Sequence, residues 1–159
     1  MDKLLSLLSE NPRLTNSQLS VMLDTTEEEV ERRIADFEKN SVICGYSSVI
    51  NWDKVPGSEK VTALIELKVT PRRDSGYEAV ADEILSFPEV ESMYLMSGGY
   101  DLAVYVTGKT FQDIAMFVAT RLAPIDSVIS TATHFMLKKY KENGVRLEGE
   151  TPDERSPLF

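Results

Sequence analysis

The sequence of 159 residues contains one cysteine, Cys44, and one histidine, His134. A single thiol excludes an internal disulfide framework and any cysteine-rich zinc module. A single histidine excludes sites in which several histidines bind one metal ion, and it leaves little material for histidine-based catalysis. No nucleophile with a neighbouring base and no paired carboxylates are evident. We therefore expect no metal site, no cofactor and no catalytic residues.

Long apolar runs and positive charge are also scarce. No run approaches the ~18 apolar residues of a membrane span, and the first residues lack the composition of a secretory signal. With one free thiol and no export signal, we expect a cytoplasmic protein without a membrane partner. Lys and Arg number 17 against 26 Asp and Glu, a net charge of −9, so a basic field over the whole molecule is absent. The composition, 42% apolar and 27% charged, is that of a globular protein.

Three short amphipathic helices are predicted within residues 1–43. The first ends at Asn11, because the proline that follows disfavours helical backbone. Thr15 is an N-cap for the second helix, and Thr26 begins the third, where Glu29 is expected to complete a capping box. The expected core-facing side chains are Leu4, Leu5, Leu7, Leu8, Leu19, Met22, Leu23, Val30, Ile34 and Phe37. A tight turn between the second and third helices is typical of a helix-turn-helix.

The residues after the third helix predict a wing and then a linker. Val42–Ile50 is strand-like, and the Pro56-Gly57 pair among polar residues favours a linker over 51–60. Strands and helices alternate in the second half. They are expected at Val61–Val69, Tyr77–Phe87, Val90–Ser97, Asp101–Thr107, Thr110–Leu122 and Val128–Leu137. The two helices are expected to bury Val80, Ala81, Ile84 and Leu85, and then Phe111, Ile114, Ala115, Phe117, Val118 and Leu122.

The order βαββαβ predicts a ferredoxin-like domain, an antiparallel sheet with both helices on one face. The fold class is therefore α+β, with an N-terminal winged helix-turn-helix over 1–50, a linker over 51–60 and the ferredoxin-like domain over 61–141. A polar tail is expected over 142–159. Since the other face of the sheet needs a cover, the sequence also predicts a dimer.

Three stretches resemble motifs of the Lrp/AsnC family of transcription regulators. They are VERRIADFEKNSVICGY from Val30 to Tyr46, SGGYDL from Ser97 to Leu102, and TAT at 131–133. The resemblance covers residues 1–141 in order and spacing. It implies DNA binding through the helix-turn-helix, dimers that assemble into octamers or related rings, and an amino acid effector bound between dimers. Ser41 stands where the family has glycine, so we expect Asn40 to adopt the left-handed conformation that ends the third helix.

The candidate contacts to double-stranded DNA lie on the second and third helices. They are Asn16, Ser17, Gln18, Thr26, Arg32 and Arg33. Phosphate contacts are expected above all from the two arginines. Alternatively, these arginines pair with Glu28, Glu29 or Asp36 on their own helix. Residues 26–39 contain six acidic and three basic side chains, which is the wrong sign for binding driven by counterion release.

The candidate effector site combines a glycine-containing hairpin with the last strand. Its residues are Gly98, Gly99, Tyr100, Asp101, Thr131 and Thr133. The hairpin amides would bind a carboxylate, Asp101 would hold an ammonium group, and the threonines of a neighbouring chain would add hydroxyls. The alternative is a purely structural hairpin. His134 points to the opposite strand face from Thr133 and is expected to contact the sheet or a partner.

The sequence thus favours an amino-acid-responsive regulator that binds DNA. The alternative is a ligand-sensing or assembly protein of the same fold that no longer binds DNA. An enzyme is not expected.

Overall fold

A computed structural model describes residues 2–58, 60–71, 73–74 and 76–147. The chain separates into two compact units, Met1–Ser48 and Val49–Phe159. Within the described ranges, no helix is both long and apolar enough to cross a bilayer. The finer division into 1–50, 51–60 and 61–141 stays a prediction.

The first unit contains the three predicted helices, α1 (Lys3–Glu10), α2 (Asn16–Leu23) and α3 (Glu27–Lys39). Each begins at a side-chain cap that satisfies free amides of the first turn. The Asp2 carboxylate accepts from the Leu4 and Leu5 amides, and Thr15 forms a complete capping box with Gln18. The buried cluster consists of Leu4, Leu8, Leu19 and Val30, with Leu7, Leu14, Leu23, Ile34, Phe37 and Ile43 packed against it.

Two details of these helices differ from prediction. Met22 was expected in the core, but it is 45% exposed because α2 contributes mainly Leu19 and Leu23 to the apolar cluster. The Thr26 hydroxyl accepts from the Glu29 amide as predicted, at 3.2 Å. Among the described residues the Glu29 carboxylate does not complete the capping box, because it accepts from Arg32 instead.

The end of α3 corrects the prediction for Asn40. Asn40 has φ −91°, and the left-handed residue is Ser41, with φ 55°. The Ser41 amide donates to the Glu38 carbonyl and the Val42 amide donates to the Phe37 carbonyl, which is the Schellman pattern. Helical bonding therefore continues through Asn40 and the chain reverses one residue later.

The predicted wing strand is also wrong in this structure. Val42–Ile50 lies outside every helix and strand of the described residues. The segment is nevertheless attached to α3, because the Tyr46 hydroxyl donates to the Glu38 carboxylate at 2.9 Å. Partial burial, and then this bond to a carboxylate, raise the pKa of Tyr46.

The second unit has the predicted βαββαβ order. The strands are β1 (Val61–Val69), β2 (Val90–Leu95), β3 (Leu102–Gly108) and β4 (Val128–Phe135), and the helices are α4 (Glu78–Leu85) and α5 (Phe111–Phe117). The four strands form one antiparallel sheet in the order β2-β3-β1-β4. The predicted ferredoxin-like fold is confirmed.

The register of β1 determines which face of the sheet is buried. Ala63, Ile65 and Leu67 are fully buried, and they pair with Val106, Val104 and Leu102 of β3. With period two, these side chains share one face. That face packs against Val80 and Ile84 of α4 and Ile114 and Phe117 of α5, together with Leu122.

The helix faces differ from prediction at three positions. Leu85 is 56% exposed and Phe111 is 54% exposed, and Ala115 is exposed too. Phe111 begins α5 at the margin of the apolar face, where its ring meets the edge of Phe135 at 4.8 Å between centroids. After α5, the residues Val118–Leu122 form a π-helical turn, in which the Ala123 amide donates to the Val118 carbonyl at 2.8 Å.

The C-terminal residues fold onto the other sheet face instead of forming a polar tail from 142 onward. Short strands β5 (Lys141–Glu142) and β6 (Val145–Arg146) form a hairpin. Its Asn143-Gly144 turn has positive φ at both residues, a turn that this dipeptide favours. Met136, Lys139 and the hairpin line a groove of about 370 Å³ with Tyr94 and Tyr105 of the sheet. Residues 148–159, also assigned to the tail, lie outside the described part.

We predict that Ser41→Gly stabilises the protein by up to about 1 kcal/mol. A left-handed backbone costs a non-glycine residue ~1–2 kcal/mol. Glycine avoids this cost but loses more conformational entropy on folding, which offsets ~0.5–1 kcal/mol of the gain. Urea unfolding followed by circular dichroism measures the difference. Ser48→Gly is the matched control, since Ser48 is exposed and has a negative φ. It should leave the free energy of unfolding unchanged or lower it. Equal effects of both substitutions would contradict the strain at Ser41.

Candidate functional site

The candidate DNA contacts at the helix starts are largely committed to capping. The Thr26 hydroxyl caps α3, and the Gln18 side-chain oxygen accepts from the Thr15 amide at 3.0 Å. Ser17 and Gln18 are exposed, whereas Asn16 is half-buried. The first turn of α2 therefore presents Ser17 and the side-chain nitrogen Nε2 of Gln18 to solvent, which suits a contact with the DNA backbone.

Arg32 forms an ion-pair network along α3. Its guanidinium donates to both Glu29 oxygens, at 2.7 and 3.0 Å, and to Asp36 at 3.0 Å. The hydrogen bond from Arg32 lowers the pKa of Glu29, and the same bond raises the pKa of Arg32. The arginine side chain is 62% exposed, so the contacts are in water, but both ion pairs must rearrange before Arg32 meets a phosphate. The alternative of pairing within the helix is therefore observed for Arg32.

Arg33 has a different partner from the ones that the sequence suggested. Its Nη2 donates to both oxygens of Asp2, at 2.9 and 2.7 Å. Burial alone would raise the pKa of Asp2, but the Leu5 and Leu4 amides and Arg33 together lower it. Arg33 thus joins α3 to the cap of α1, and its side chain is only 29% exposed. It stabilises the helix arrangement and is poorly placed to leave it.

The remaining charge on the exposed face of α3 is negative. Glu27, Glu28 and Glu31 are exposed, and in the described residues no ion pair involves them. Near a helix N-terminus these carboxylates stabilise the helix by ~0.3–1 kcal/mol each. They also repel a phosphate backbone. The two arginines that would offset this repulsion are both held by carboxylates.

The predicted effector hairpin joins β2 to β3 at one end of the sheet. Gly98 and Gly99 are exposed, and among the described residues their amides have no hydrogen-bond acceptor. Tyr100 and Asp101 are half-buried. Two neighbouring amides on exposed residues without side chains are suited to a carboxylate ligand.

The Asp101 carboxylate fixes the base of this hairpin. Its Oδ2 accepts from the Val69 amide at 2.9 Å, and its Oδ1 accepts from the Tyr77 hydroxyl at 3.4 Å. The Asp101 amide also donates to the Leu67 carbonyl at 2.9 Å. A carboxylate has about four acceptor positions, so capacity for an ammonium group remains. Sequence reasoning missed Tyr77 and Val69, which adjoin the hairpin only through the fold.

Thr131 and Thr133 are not brought to Asp101 within one chain. They lie on β4 opposite Leu67 and Ile65, which places the two threonines on the helix-facing side of the sheet. Strand β1 separates β4 from β3, so Thr131 is about 10 Å from the backbone of the hairpin base. Both threonines are half-buried.

His134 lies on the opposite face from Thr133, as predicted, and its Nε2 is 3.4 Å from the Glu66 carboxylate. In the described part of the chain, no three Asp, Glu, His or Cys side chains cluster as metal ligands would.

Comparison with known proteins identifies the class of protein to which this chain belongs. A family model of a winged helix-turn-helix DNA-binding domain matches residues 3–43, and a model of the Lrp/AsnC ligand binding domain matches residues 62–146. The protein is therefore a helix-turn-helix transcription regulator with a ligand-binding domain, not an enzyme.

Individual relatives extend this result over most of the chain. The helix-turn-helix regulator YugG of Bacillus subtilis (strain 168) is 46% identical over 153 residues, which are 96% of this chain and 92% of the relative. A transcriptional regulator of Neisseria meningitidis, solved as an L-Met complex, has a TM-score of 0.70 and 25% identity, with 92% of this chain and 97% of that chain covered. The leucine response regulatory protein of Mycobacterium tuberculosis has a TM-score of 0.75 and 20% identity, over 93% and 100%, which shows the shared fold. The chain belongs to the Lrp/AsnC family, in which the helix-turn-helix is the DNA-binding domain.

We predict that the double variant Glu29→Gln, Asp36→Asn binds non-specific duplex DNA more tightly than the wild type. Releasing Arg32 to a phosphate should steepen the slope of log affinity against log salt by about 0.9. Fluorescence anisotropy over a salt series measures both quantities.

The matched control is Glu28→Gln, Glu31→Gln, which removes two charges from the same helix without releasing an arginine. Its affinity should rise through lower repulsion, with the salt slope unchanged. Equal slopes in the two double variants would show that Arg32 gains no phosphate contact.

Proposed function

We propose that this protein is a cytoplasmic regulator whose DNA binding responds to a free amino acid bound at the Gly98–Asp101 hairpin. The observation that carries the proposal is one short hairpin in which the Gly98 and Gly99 amides have no acceptor among the described residues and the Asp101 carboxylate follows two residues later. An amino acid has a carboxylate and an ammonium group about 3 Å apart, and it needs clustered donors beside one acceptor charge. The L-Met complex of the Neisseria meningitidis regulator makes methionine the first ligand to test.

The threonines enter the site from a neighbouring chain. Because β1 separates Thr131 and Thr133 from the hairpin within one chain, one small ligand does not reach both sets of groups there. A hairpin from one dimer and a β4 strand from the next would bring them together. We infer that the effector binds between dimers, in an octamer or a related ring.

The second candidate function is a sensor of the same fold whose DNA binding is lost. The specific observation in its favour is that both Arg32 and Arg33 are held by carboxylates on a helix with an acidic face. Retention of genomic fragments at about 50 mM salt separates the two functions, since non-specific binding is strongest at low salt. Failure to retain any fragment at this salt concentration would favour the sensor.

We predict that the protein is at least a dimer at micromolar concentration, joined through the sheet face opposite α4 and α5. Tyr94, on that face, is 55% exposed, and its ring meets Tyr105 edge-on. Tyr94→Glu should produce a monomer of 17.8 kDa in light scattering, because it places a charge in the interface. Leu85→Glu is the matched control at 56% exposure on α4, and it should leave the dimer intact. A monomeric wild type would refute the interface.

We predict that Asp101→Asn weakens binding of the effector by about ten- to a hundredfold, since a hydrogen bond to a charged group contributes ~1.5–3 kcal/mol. Isothermal titration calorimetry of the wild type against the twenty amino acids identifies the ligand first. Asparagine keeps a side-chain oxygen that can accept from the Val69 amide, so the hairpin should retain its shape.

Tyr77→Phe is the control for this substitution, because it removes the hydroxyl bond to Asp101 and keeps the charge. It should change the affinity by less than about threefold. Equal losses in the two variants would mean that Asp101 acts only through the shape of the hairpin. If no amino acid binds the wild type below about 10 mM, the site is wrongly assigned.

A further inference from the structure

A small pocket lies at the opposite end of the sheet from the effector hairpin. Its walls are Glu89 before β2, Val106, Thr107 and Gly108 at the end of β3, and Asp113, Ile114 and Phe117 of α5. Gly108 and Leu102 are six residues apart on β3, so the pocket is about 20 Å from the hairpin. It shares no residue with the candidate effector site.

Glu89 is positioned in this pocket by its backbone. Its carbonyl accepts from the Thr107 amide at 3.0 Å, which fixes the residue against the end of β3. One carboxylate oxygen, Oε2, exposes less than 1 Å² to solvent and has no hydrogen-bond donor among the described residues. An enclosed polar oxygen without a donor is unfavourable, so such atoms are rare in folded proteins.

The other groups in the pocket do not supply that donor. Asp113, the second ionisable group in the lining, is itself an acceptor, because its Oδ2 receives the Thr110 amide at 2.9 Å. Arg121, on the π-helical turn after α5, stacks on the Phe87 ring at 4.8 Å and forms no ion pair with Glu89 among the described residues. The pocket therefore presents negative charge with apolar walls, and the partner that it lacks is a cation.

The size of the pocket restricts the cation to a small head group. Its volume is about 80 Å³, roughly half of the ~150 Å³ cavity that holds benzene in a well-studied protein. The walls are closely packed, since a Cβ on Gly108 would lie 3.0 Å from the Ile114 Cγ1. Phe117 forms part of the lining, and aromatic side chains tolerate a neighbouring cation. An ammonium group on an alkyl chain fits these limits, with the chain leading out to solvent.

We propose that this pocket binds the ammonium group of a primary alkylamine, with Glu89 as its counter-ion. The amine is either a free small molecule or the side chain of a lysine from a second copy of this protein. The site is independent of the effector site, since it uses a different end of the sheet and a different carboxylate. An amino acid that carries a side-chain amine could occupy it without displacing an effector at the hairpin.

Isothermal titration calorimetry of the full chain with n-butylammonium tests the proposal, with 1-butanol as the uncharged comparison. We expect saturable millimolar binding of the amine, no comparable binding of the alcohol, and an affinity at least about tenfold weaker in Glu89→Gln. Glu91→Gln is the matched control, because Glu91 is exposed on β2 and is not in the pocket lining. It should bind the amine as the wild type does.

Light scattering on the same variants identifies the source of the amine. If a lysine of a second copy fills the pocket, the free amine will not bind the wild type, and Glu89→Gln will reduce the size of the assembly where Glu91→Gln does not. Equal amine affinity in Glu89→Gln and the wild type would overturn the proposal. Absence of amine binding together with an unchanged assembly would overturn it as well.

Discussion

The register of β1 is the constraint on which the rest of the second unit depends. This strand pairs on both edges, with β3 and with β4, and its alternate residues Ala63, Ile65 and Leu67 are fully buried. A slip of one residue would turn Glu66 and Lys68 toward the helices. Such a register is strongly disfavoured, because burying their charges costs free energy. The same register places the hairpin at one end of β3 and the Glu89 pocket at the other.

The order of helices and strands was predictable because each element follows its own period. Leu19 and Leu23 on α2, and Ile65 and Leu67 on β1, keep the spacing that burial on one side requires. Local exceptions were less predictable. The left-handed exit at Ser41 depends on how far helical hydrogen bonding continues at the end of α3. Residue preference alone assigned the left-handed conformation to Asn40. The C-terminal hairpin did carry a local signal in Asn143-Gly144, but the strands on either side are too short for a pattern.

The candidate sites were predictable only as far as their residues are neighbours in sequence. The hairpin from Gly98 to Asp101 is contiguous, so its amides and carboxylate could be grouped in advance. The bonds from Asp101 to Val69 and Tyr77 cross 32 and 24 residues, and no local pattern indicates them. The same holds for Arg33, whose partner Asp2 is 31 residues away. No sequence pattern indicated Glu89, because the enclosure of its carboxylate depends on residues that are distant in sequence.

The π-helical turn at Val118–Leu122 has a consequence for how this chain compares with relatives of different length. A turn closed between Val118 and Ala123 holds one residue more than a regular α-helical turn. Phe117, Val118 and Leu122 on either side of and within this turn all reach the core. Because the extra residue is accommodated within this one turn, removing it would restore a regular α-helical turn and leave the segment after it in place. The turn is therefore the point in this helix where the chain can gain or lose one residue with the least effect on the rest of the fold.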